Sequence, residues 1–118
     1  MNIEIIRNYC LNKNGVTESF PFDNETLTFK VGTKMFLLVN LNRFPLFFNV
    51  KTAPEWSETL REEYPQITGA YHQNKKHWNS VVVEGLPEKL IFELIDHSYE
   101  LVFQSLTKKE KFVIENKI

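Results

Sequence analysis

An apolar stripe in the last third of the chain constrains the fold more than any other feature of the sequence. Apolar or small residues recur at the 3.6-residue period of an α-helix through about five turns. They are Leu90, Ile91, Leu94, Ile95, Ser98, Leu101, Val102 and Ser105. A helix with one apolar face has to bury that face against another layer of structure. We therefore expect this helix to pack across one face of a β-sheet.

The middle of the chain supplies such a sheet. Apolar and polar residues alternate through residues 27–31, and Gly32-Thr33 forms a short turn into residues 34–40, which predicts a β-hairpin. Residues 46–51 alternate in the same way and predict a further strand, and residues 16–22 are a candidate for a first one. Because short turns join antiparallel neighbours, we expect a largely antiparallel sheet.

Two more helices and a second group of strands complete the pattern. Asn2 is a usable N-cap for a helix that ends near residue 12, and Pro54 opens a second helix that Pro65 closes. Strand-forming residues follow, and Gly85 ends them. The expected order is α, three or four β, α, two β, α. This order predicts an α+β fold, with an antiparallel sheet and helices packed on one of its faces.

Composition limits the class of protein. The chain has 118 residues, of which 42% are hydrophobic and 25% charged, so we expect one domain over residues 1–118. It has a single cysteine, Cys10, which points to a reducing compartment. Because no apolar run approaches the roughly 20 residues of a membrane helix, we expect a cytoplasmic protein without a membrane partner.

Charge is divided unevenly along the sequence. The net charge of −1 excludes a strongly basic protein that coats DNA through its whole surface. Two stretches nevertheless lack acids, residues 26–54 and 64–83, and six cations lie in them: Lys30, Lys34, Arg43, Lys51, Lys75 and Lys76. A cationic region of sheet is typical of a surface that binds a phosphate backbone. An alternative stays open, in which exposed lysines merely block edge-to-edge aggregation.

The densest cluster of polar and aromatic side chains is residues 71–78. If Asn74-Lys75 forms a two-residue turn, His72 lies opposite His77 and Tyr71 lies opposite Trp78. The lysines at this hairpin tip could then contact phosphates.

The roles of the rings in this hairpin stay open. Tyr71 or Trp78 could stack on a base, or both could face the core. Two facing histidines are too few for a zinc site, which needs three or four ligands, so we expect no metal.

The sequence shows no catalytic constellation. Asp96, His97 and Ser98 have the residue types of a hydrolase triad, but neighbours on a helix point about 100° apart and cannot form the required hydrogen bonds. Glu18 is a possible general base without a local partner. Phosphate-binding and nucleophile-elbow motifs are missing. We expect neither an enzyme nor a cofactor.

Several motifs, taken in order, resemble the MmcQ/YjbR family of small bacterial proteins. The supporting motifs are Gly15-Val16-Thr17-Glu18, Phe20-Pro21-Phe22, Phe29-Lys30-Val31, Lys34-Met35-Phe36, Lys51 with Pro54, and Leu60-Arg61. The most specific motifs are Tyr71-His72, Asn74-Lys75, Lys76-His77-Trp78-Asn79, Ile95-Asp96-His97-Ser98-Tyr99 and Leu101-Val102. The resemblance covers about residues 3–106 and leaves residues 107–118 as a C-terminal tail.

This resemblance implies a CyaY-like α+β fold and DNA binding through a double wing of two hairpins. The wings here would be the hairpin that contains residues 30–34 and the hairpin of residues 71–78. The expected nucleic-acid-binding residues are Lys30, Lys34, Arg43, Lys51, His72, Asn74, Lys75, Lys76, His77 and Trp78. The expected partner is duplex DNA. The alternative function is a module that binds a protein or a small anion.

Overall fold

The computed structural model describes residues 1–70 and 73–116 and has four helices and six strands. The helices are α1 (Ile3–Leu11), α2 (Pro54–Glu63), α3 (Glu88–Gln104) and α4 (Lys108–Glu115). The strands are β1 (Val16–Ser19), β2 (Thr26–Val31), β3 (Lys34–Asn40), β4 (Phe47–Lys51), β5 (Ile67–Gly69) and β6 (Trp78–Val82). The predicted α+β class is confirmed, and the optional fourth strand of the first group is present.

The strands form one antiparallel sheet in the order β1-β2-β3-β4-β6-β5. Because β6 pairs with β4, the β5–β6 pair extends the sheet of the first four strands. The β2–β3 turn and the β5–β6 loop both lie at the end of the sheet where β4 reaches Lys51, since Lys51 pairs with Trp78 at the start of β6. The β1–β2 and β3–β4 loops lie at the opposite end.

One face of the sheet carries the core. Buried side chains on this face include Phe29, Val39 and Phe48, and they form one hydrophobic cluster with Leu60 of α2 and Leu94 of α3. The predicted apolar stripe on α3 is the face that enters this cluster, because Ile91, Leu94, Ile95, Ser98 and Val102 are all buried. The prediction that the helices cover one face is confirmed.

Four consecutive residues of α3 each contact a different part of the molecule. Asp96 accepts hydrogen bonds from the Tyr9 hydroxyl and also accepts from Lys13 at the end of α1. The Tyr99 hydroxyl donates to the carbonyl of Asn14 at 2.6 Å. This part of α3 therefore fixes α1 and the turn that follows it.

The two residues between them hold the sheet and α2. Ser98 Oγ accepts from the backbone N–H of Lys51 at 2.9 Å and donates to the Phe36 carbonyl at 2.5 Å. His97 Nε2 accepts from the backbone N–H of Ala53, at the start of α2, at 3.0 Å. Each of these four side chains therefore bonds to a different element of the fold.

The C-terminal helix α4 occupies a region where the sequence predicted no element. Its start carries a capping box, in which Thr107 and Glu110 exchange hydrogen bonds. The helix packs against the α1–β1 and β2–β3 turns, where Gly15 and Gly32 have positive φ values of 76° and 58°. A Cβ at Gly15 would lie 2.8 Å from Ile114 Cγ1, so glycine permits this close approach.

In the described part of the chain, none of the helices has the length and apolar content that a bilayer crossing requires.

The contact between His97 and α2 predicts a dependence of stability on pH. Burial lowers the pKa of His97 from its ordinary value of 6.5. As the pH falls, the unfolded chain therefore binds a proton at His97 near pH 6.5, whereas the folded chain binds it only at a lower pH. This part of the stability is complete above pH 6.5 and declines as pH falls below it. Urea midpoints at neutral and mildly acidic pH should show this decline, and His97→Gln, which keeps a side-chain acceptor, should reduce it. An equal acid response in both proteins would contradict the assignment.

Candidate nucleic-acid interface

The topology brings both predicted wings to one end of the sheet. The β2–β3 turn and the β5–β6 loop lie there, and the expected cations Lys34, Lys75 and Lys76 are exposed. The backbone of the β2–β3 turn is fixed, because Gly32 N–H donates to the Gly15 carbonyl and the Thr33 hydroxyl donates to Glu110 at 2.6 Å. We call this part of the molecule the lysine end.

The lysine end contains cations that the sequence analysis did not assign to a site. Helix α4 lies beside the β2–β3 turn and adds Lys108, Lys109 and Lys111. The sequence signal that could have revealed this helix and its lysines is the capping box Thr107-Lys108-Lys109-Glu110, which marks the start of a helix. A helix in the predicted C-terminal tail thus enlarges the cationic surface.

Lys34 has a structural role that the sequence did not indicate. Its ammonium donates to the Ser105 carbonyl at 3.0 Å and lies 3.3 Å from Ser105 Oγ, at the C-terminus of α3. A cation at this position satisfies an orphan carbonyl and the negative end of the helix dipole.

Lys30 and Lys51 lie on the face of the sheet opposite the core, which we call the open face. Lys30 pairs with Thr17 and Met35, and Lys51 pairs with Trp78. Both lysines are partly buried near the lysine end. Arg43 is exposed in the β3–β4 loop, so it lies at the opposite end and not beside the two wings.

The predicted geometry of the second hairpin is wrong. The pairs Ile67↔Val81 and Gly69↔Asn79 set the register, and the Ala70 N–H donates to the Trp78 carbonyl, so Ala70 lies opposite Trp78. The strands stop there, and a longer loop replaces the two-residue turn at Asn74-Lys75. Tyr71 and His72 lie outside the described residues.

Asn74 organises the described part of this loop. Its carbonyl accepts from the backbone N–H groups of His77 and Trp78 at 3.0 and 2.8 Å, and its Oδ1 accepts from the N–H of Lys76 at 3.0 Å. These bonds form a compact turn that exposes Lys75 and Lys76. Asn74, expected to contact nucleic acid, therefore shapes the loop that carries the lysines.

Trp78 does not offer a ring for stacking. It is only 9% exposed and lies at the start of β6. The structure matches neither of the two roles that the sequence left open for Trp78: the ring is too buried to stack on a base, and its pairing with Lys51 places it on the open face and not toward the core. His77 is partly buried, and its carbonyl accepts from the backbone N–H of Thr52 at 2.8 Å.

A polar network on the core side anchors the same loop to α2. Arg61 donates through Nε to Asn79 Oδ1 at 2.7 Å and through Nη2 to the Lys75 carbonyl at 2.5 Å. Asn79 is fully buried and donates to the hydroxyls of Thr52 and Ser57 at 2.8 and 3.2 Å. The planar guanidinium suits this task because its donors point in fixed directions.

The open face also contains a groove of about 820 Å³. Its floor includes Met35, Leu38 and Phe47, and its polar centre contains Asn49, Gln73 and Ser80. Phe22, Asp23 and Arg43 lie at its rim at the far end.

The structure also shows the surroundings of Glu18 and Cys10, two further reactive side chains. Glu18 forms two hydrogen bonds with Arg7 at 2.7 and 2.5 Å, which hold its carboxyl pKa below the ordinary value and make it a poor base. Burial raises the pKa of the Cys10 thiol to about 12, so this thiol is a poor nucleophile. Among the residues described, no three His, Cys, Asp or Glu side chains are placed to hold a metal ion.

Comparisons with known proteins agree on one family. The YjbR family model matches residues 11–101. Uncharacterized protein YbdF of Escherichia coli O157:H7 is 40% identical over 93 residues, which are 78% of this chain and 76% of that protein. Uncharacterized protein YjbR of Escherichia coli strain K12 is 30% identical over 112 residues, 94% of this chain and 95% of that protein.

Solved structures give the same picture. A crystal structure of a Deinococcus radiodurans protein with a DUF419 domain has a TM-score of 0.90 and 39% identity, covering 97% of this chain and 88% of that chain. A Pseudomonas syringae protein has a TM-score of 0.73 and 26% identity, covering 86% of this chain and 99% of that chain.

The Arg61 network predicts a local effect on the β5–β6 loop. Arg61→Lys keeps the charge but cannot place donors on the Asn79 side chain and the Lys75 carbonyl at once. Amide hydrogen exchange at His77 and Trp78 should accelerate, while amides in α1 keep their protection. Arg7→Lys, in an exposed ion pair, is the matched control. Unchanged exchange in the loop of Arg61→Lys would show that the network does not hold it.

Proposed function

This chain belongs to the YjbR family, and on that premise we propose that it is a non-enzymatic DNA-binding protein that contacts the phosphate backbone through its lysine end. The observation that carries the proposal is the placement of two separate loops, with Lys34, Lys75 and Lys76, at one end of the sheet. Lys30 and Lys51 continue the positive charge onto the open face. Cations arranged in this way neutralise phosphates without reading bases.

The spacing of the loops supports a duplex as the partner. The β2–β3 and β5–β6 pairs are separated by three strand spacings, which is about 14 Å at about 4.8 Å per strand. The major groove of B-DNA is about 12 Å wide. The two loops can therefore reach phosphates on the two sides of one groove.

The side chains at this end favour modest, sequence-independent affinity. Lysine acts as a point charge, whereas arginine recognises guanine more effectively because its guanidinium can bond the base in a bidentate way. Arg61 already donates its hydrogen bonds to Asn79 and to the Lys75 carbonyl, which hold the β5–β6 loop. With about four phosphate contacts, we expect a log–log salt slope of about −3.6.

Charge reversal at the loop tests the proposal. Lys76 is exposed and its backbone is fixed by Asn74, so Lys76→Glu changes charge without removing a core contact. We expect several-fold weaker binding to a short duplex and a salt slope smaller by about 1. Fluorescence anisotropy over a series of salt concentrations measures both.

The matched control for this experiment is Lys89→Glu. Lys89 is exposed near the start of α3, at the opposite end of the molecule, and its substitution changes the net charge equally. If the two variants bind alike, the effect is one of net charge and the lysine end is not the interface. If the parent protein shows no duplex binding at low salt, the proposed function is wrong.

A patch of exposed apolar side chains favours protein interaction as a second candidate function. Phe20, Phe22, Leu41 and Phe44 are 46%, 63%, 44% and 94% exposed. They lie in the β1–β2 and β3–β4 loops, which the Leu41 N–H joins by donating to the Glu25 carbonyl. Contiguous apolar patches of this kind mark protein-binding surfaces.

One kind of protein interaction through this patch, the self-association of this chain, can be measured directly. We expect the sedimentation coefficient of the protein to rise with concentration, and Phe22→Ser/Phe44→Ser to abolish the rise. Phe112→Ser, which changes an equally exposed ring on α4, is the control. A concentration-independent coefficient in the parent protein would exclude self-association through this patch.

A further inference from the structure

The open face of the sheet differs chemically from the rest of the surface. Strand residues on this face are Thr17, Ser19, Thr26, Thr28, Lys30, Met35, Leu38, Asn40, Phe47, Asn49, Lys51, Thr68, Trp78, Ser80 and Val82. These strand positions include two lysines and no acid. The net negative charge of the chain is therefore carried elsewhere, and the strands of the open face suit a polyanion.

The groove on this face combines apolar and amide groups. Leu38 pairs with Asn49, and Asn49 pairs with Ser80, so the three side chains form a row across β3, β4 and β6. Phe47 and Met35 flank the row and are partly buried, so they offer apolar contact without closing the groove. A volume of about 820 Å³ is large enough for several planar rings.

The amide groups at the centre are held in a chain. Ser80 Oγ donates to Asn49 Oδ1 at 2.7 Å, and Asn49 Nδ2 donates to Gln73 Oε1 at 2.9 Å. Gln73 Nε2 is buried and has no hydrogen-bond partner among the described residues. An unsatisfied buried donor is uncommon in folded proteins, and an acceptor on a ligand would complete the chain after a small rotation of this side chain.

We propose that the open-face groove holds unpaired bases of a single-stranded nucleic acid. Apolar side chains on an uncovered antiparallel sheet pack against base planes, and nearby amides hydrogen-bond to exposed base edges. Lys30 and Lys51 lie at the lysine end of the face and Arg43 at the other, so cations are available for the backbone at both ends. The proposal rests on the proposed function, to which it adds a site for bases.

Asp23 and Glu25 at the rim limit where the strand can run. Asp23 accepts from the backbone N–H groups of Glu25 and Thr26 at 2.9 and 2.6 Å, which lowers its pKa and keeps it charged. Phosphates would therefore avoid this corner and follow the lysines, while bases enter the groove. We therefore expect the groove to contribute to the binding affinity through bases, and the lysines to contribute to it through phosphates.

Two oligonucleotides of equal length separate these contributions. One is a short single strand of thymidines, and the other is an abasic strand with the same number of phosphates. We expect the thymidine strand to bind at least about fivefold more tightly, the gain from stacking one base. Amide side-chain signals of Asn49 and Gln73 in NMR spectra should shift with the thymidine strand only.

Asn49→Leu should remove the preference for thymidine, and Met35→Ala, which leaves the Asn49–Gln73 bond in place, should weaken that preference without changing the affinity for the abasic strand. Thr68→Leu, on the same face but outside the groove lining, is the matched control. If Asn49→Leu fails to fold, Met35→Ala tests the same floor, and the NMR shifts test the parent protein directly.

Each outcome distinguishes this inference from the proposed function. Equal binding of the thymidine and abasic strands, together with duplex binding, overturns the base site and leaves the phosphate-binding function standing. Binding of free thymidine but of no oligonucleotide overturns the strand as occupant and indicates a small-molecule site. If duplex and both strands all fail to bind at low salt, both proposals are wrong.

Discussion

A single buried serine on the longest helix joins the two layers of the molecule. Ser98 Oγ bonds to the backbone of β3 at Phe36 and to the backbone of β4 at Lys51. Phe36 lies where the register of β2 and β3 shifts by one residue, so regular pairing with β2 does not serve its carbonyl. Leaving such a buried group unpaired costs about 1–3 kcal/mol, and the serine hydroxyl removes that cost. The helix is thereby fixed in both position and rotation.

The rest of the helical layer depends on that placement. When Ser98 makes these two bonds, the residues beside it contact the other helices: Asp96 bonds to α1 and His97 bonds to the start of α2. Tyr99 bonds to the α1–β1 turn. The C-terminus of α3 then meets Lys34 beside the β2–β3 turn. The helix that packs on the core therefore also positions the β2–β3 turn of the lysine end.

The layers of this fold could be predicted from the sequence because burial imposes a period on each element. The stripe on α3 and the alternation in β2 and β4 both indicate which face meets the core. The hairpin after residue 66 could not be predicted equally well, because Asn74-Lys75 suggested a two-residue turn while Asn74 in fact closes a longer one. A shift of one residue in register moves every side chain to the other face of the sheet. The prediction for this hairpin therefore depended on the conformation of its turn. Helix α4 was missed because its residues are mostly polar, although its capping box was present in the sequence.

Nucleic-acid contacts at the candidate site need not come from the residues with the most suggestive chemistry. Trp78 is buried and Asn74 shapes a turn, so these two residues form the frame of the site, while Lys34 caps a helix and is exposed beside the β2–β3 turn. The loop itself is held from both sides of the sheet. Arg61 and Asn79 hold it on the core side, and the bond from Asn49 to Gln73 holds it on the open side. Backbone that is held in this way around Lys75 and Lys76 loses little conformational entropy when it meets a partner, which favours the proposed binding through lysines with small individual contributions. Gln73 belongs both to this loop and to the groove, so a base that contacted Gln73 would act on the loop that carries Lys75 and Lys76.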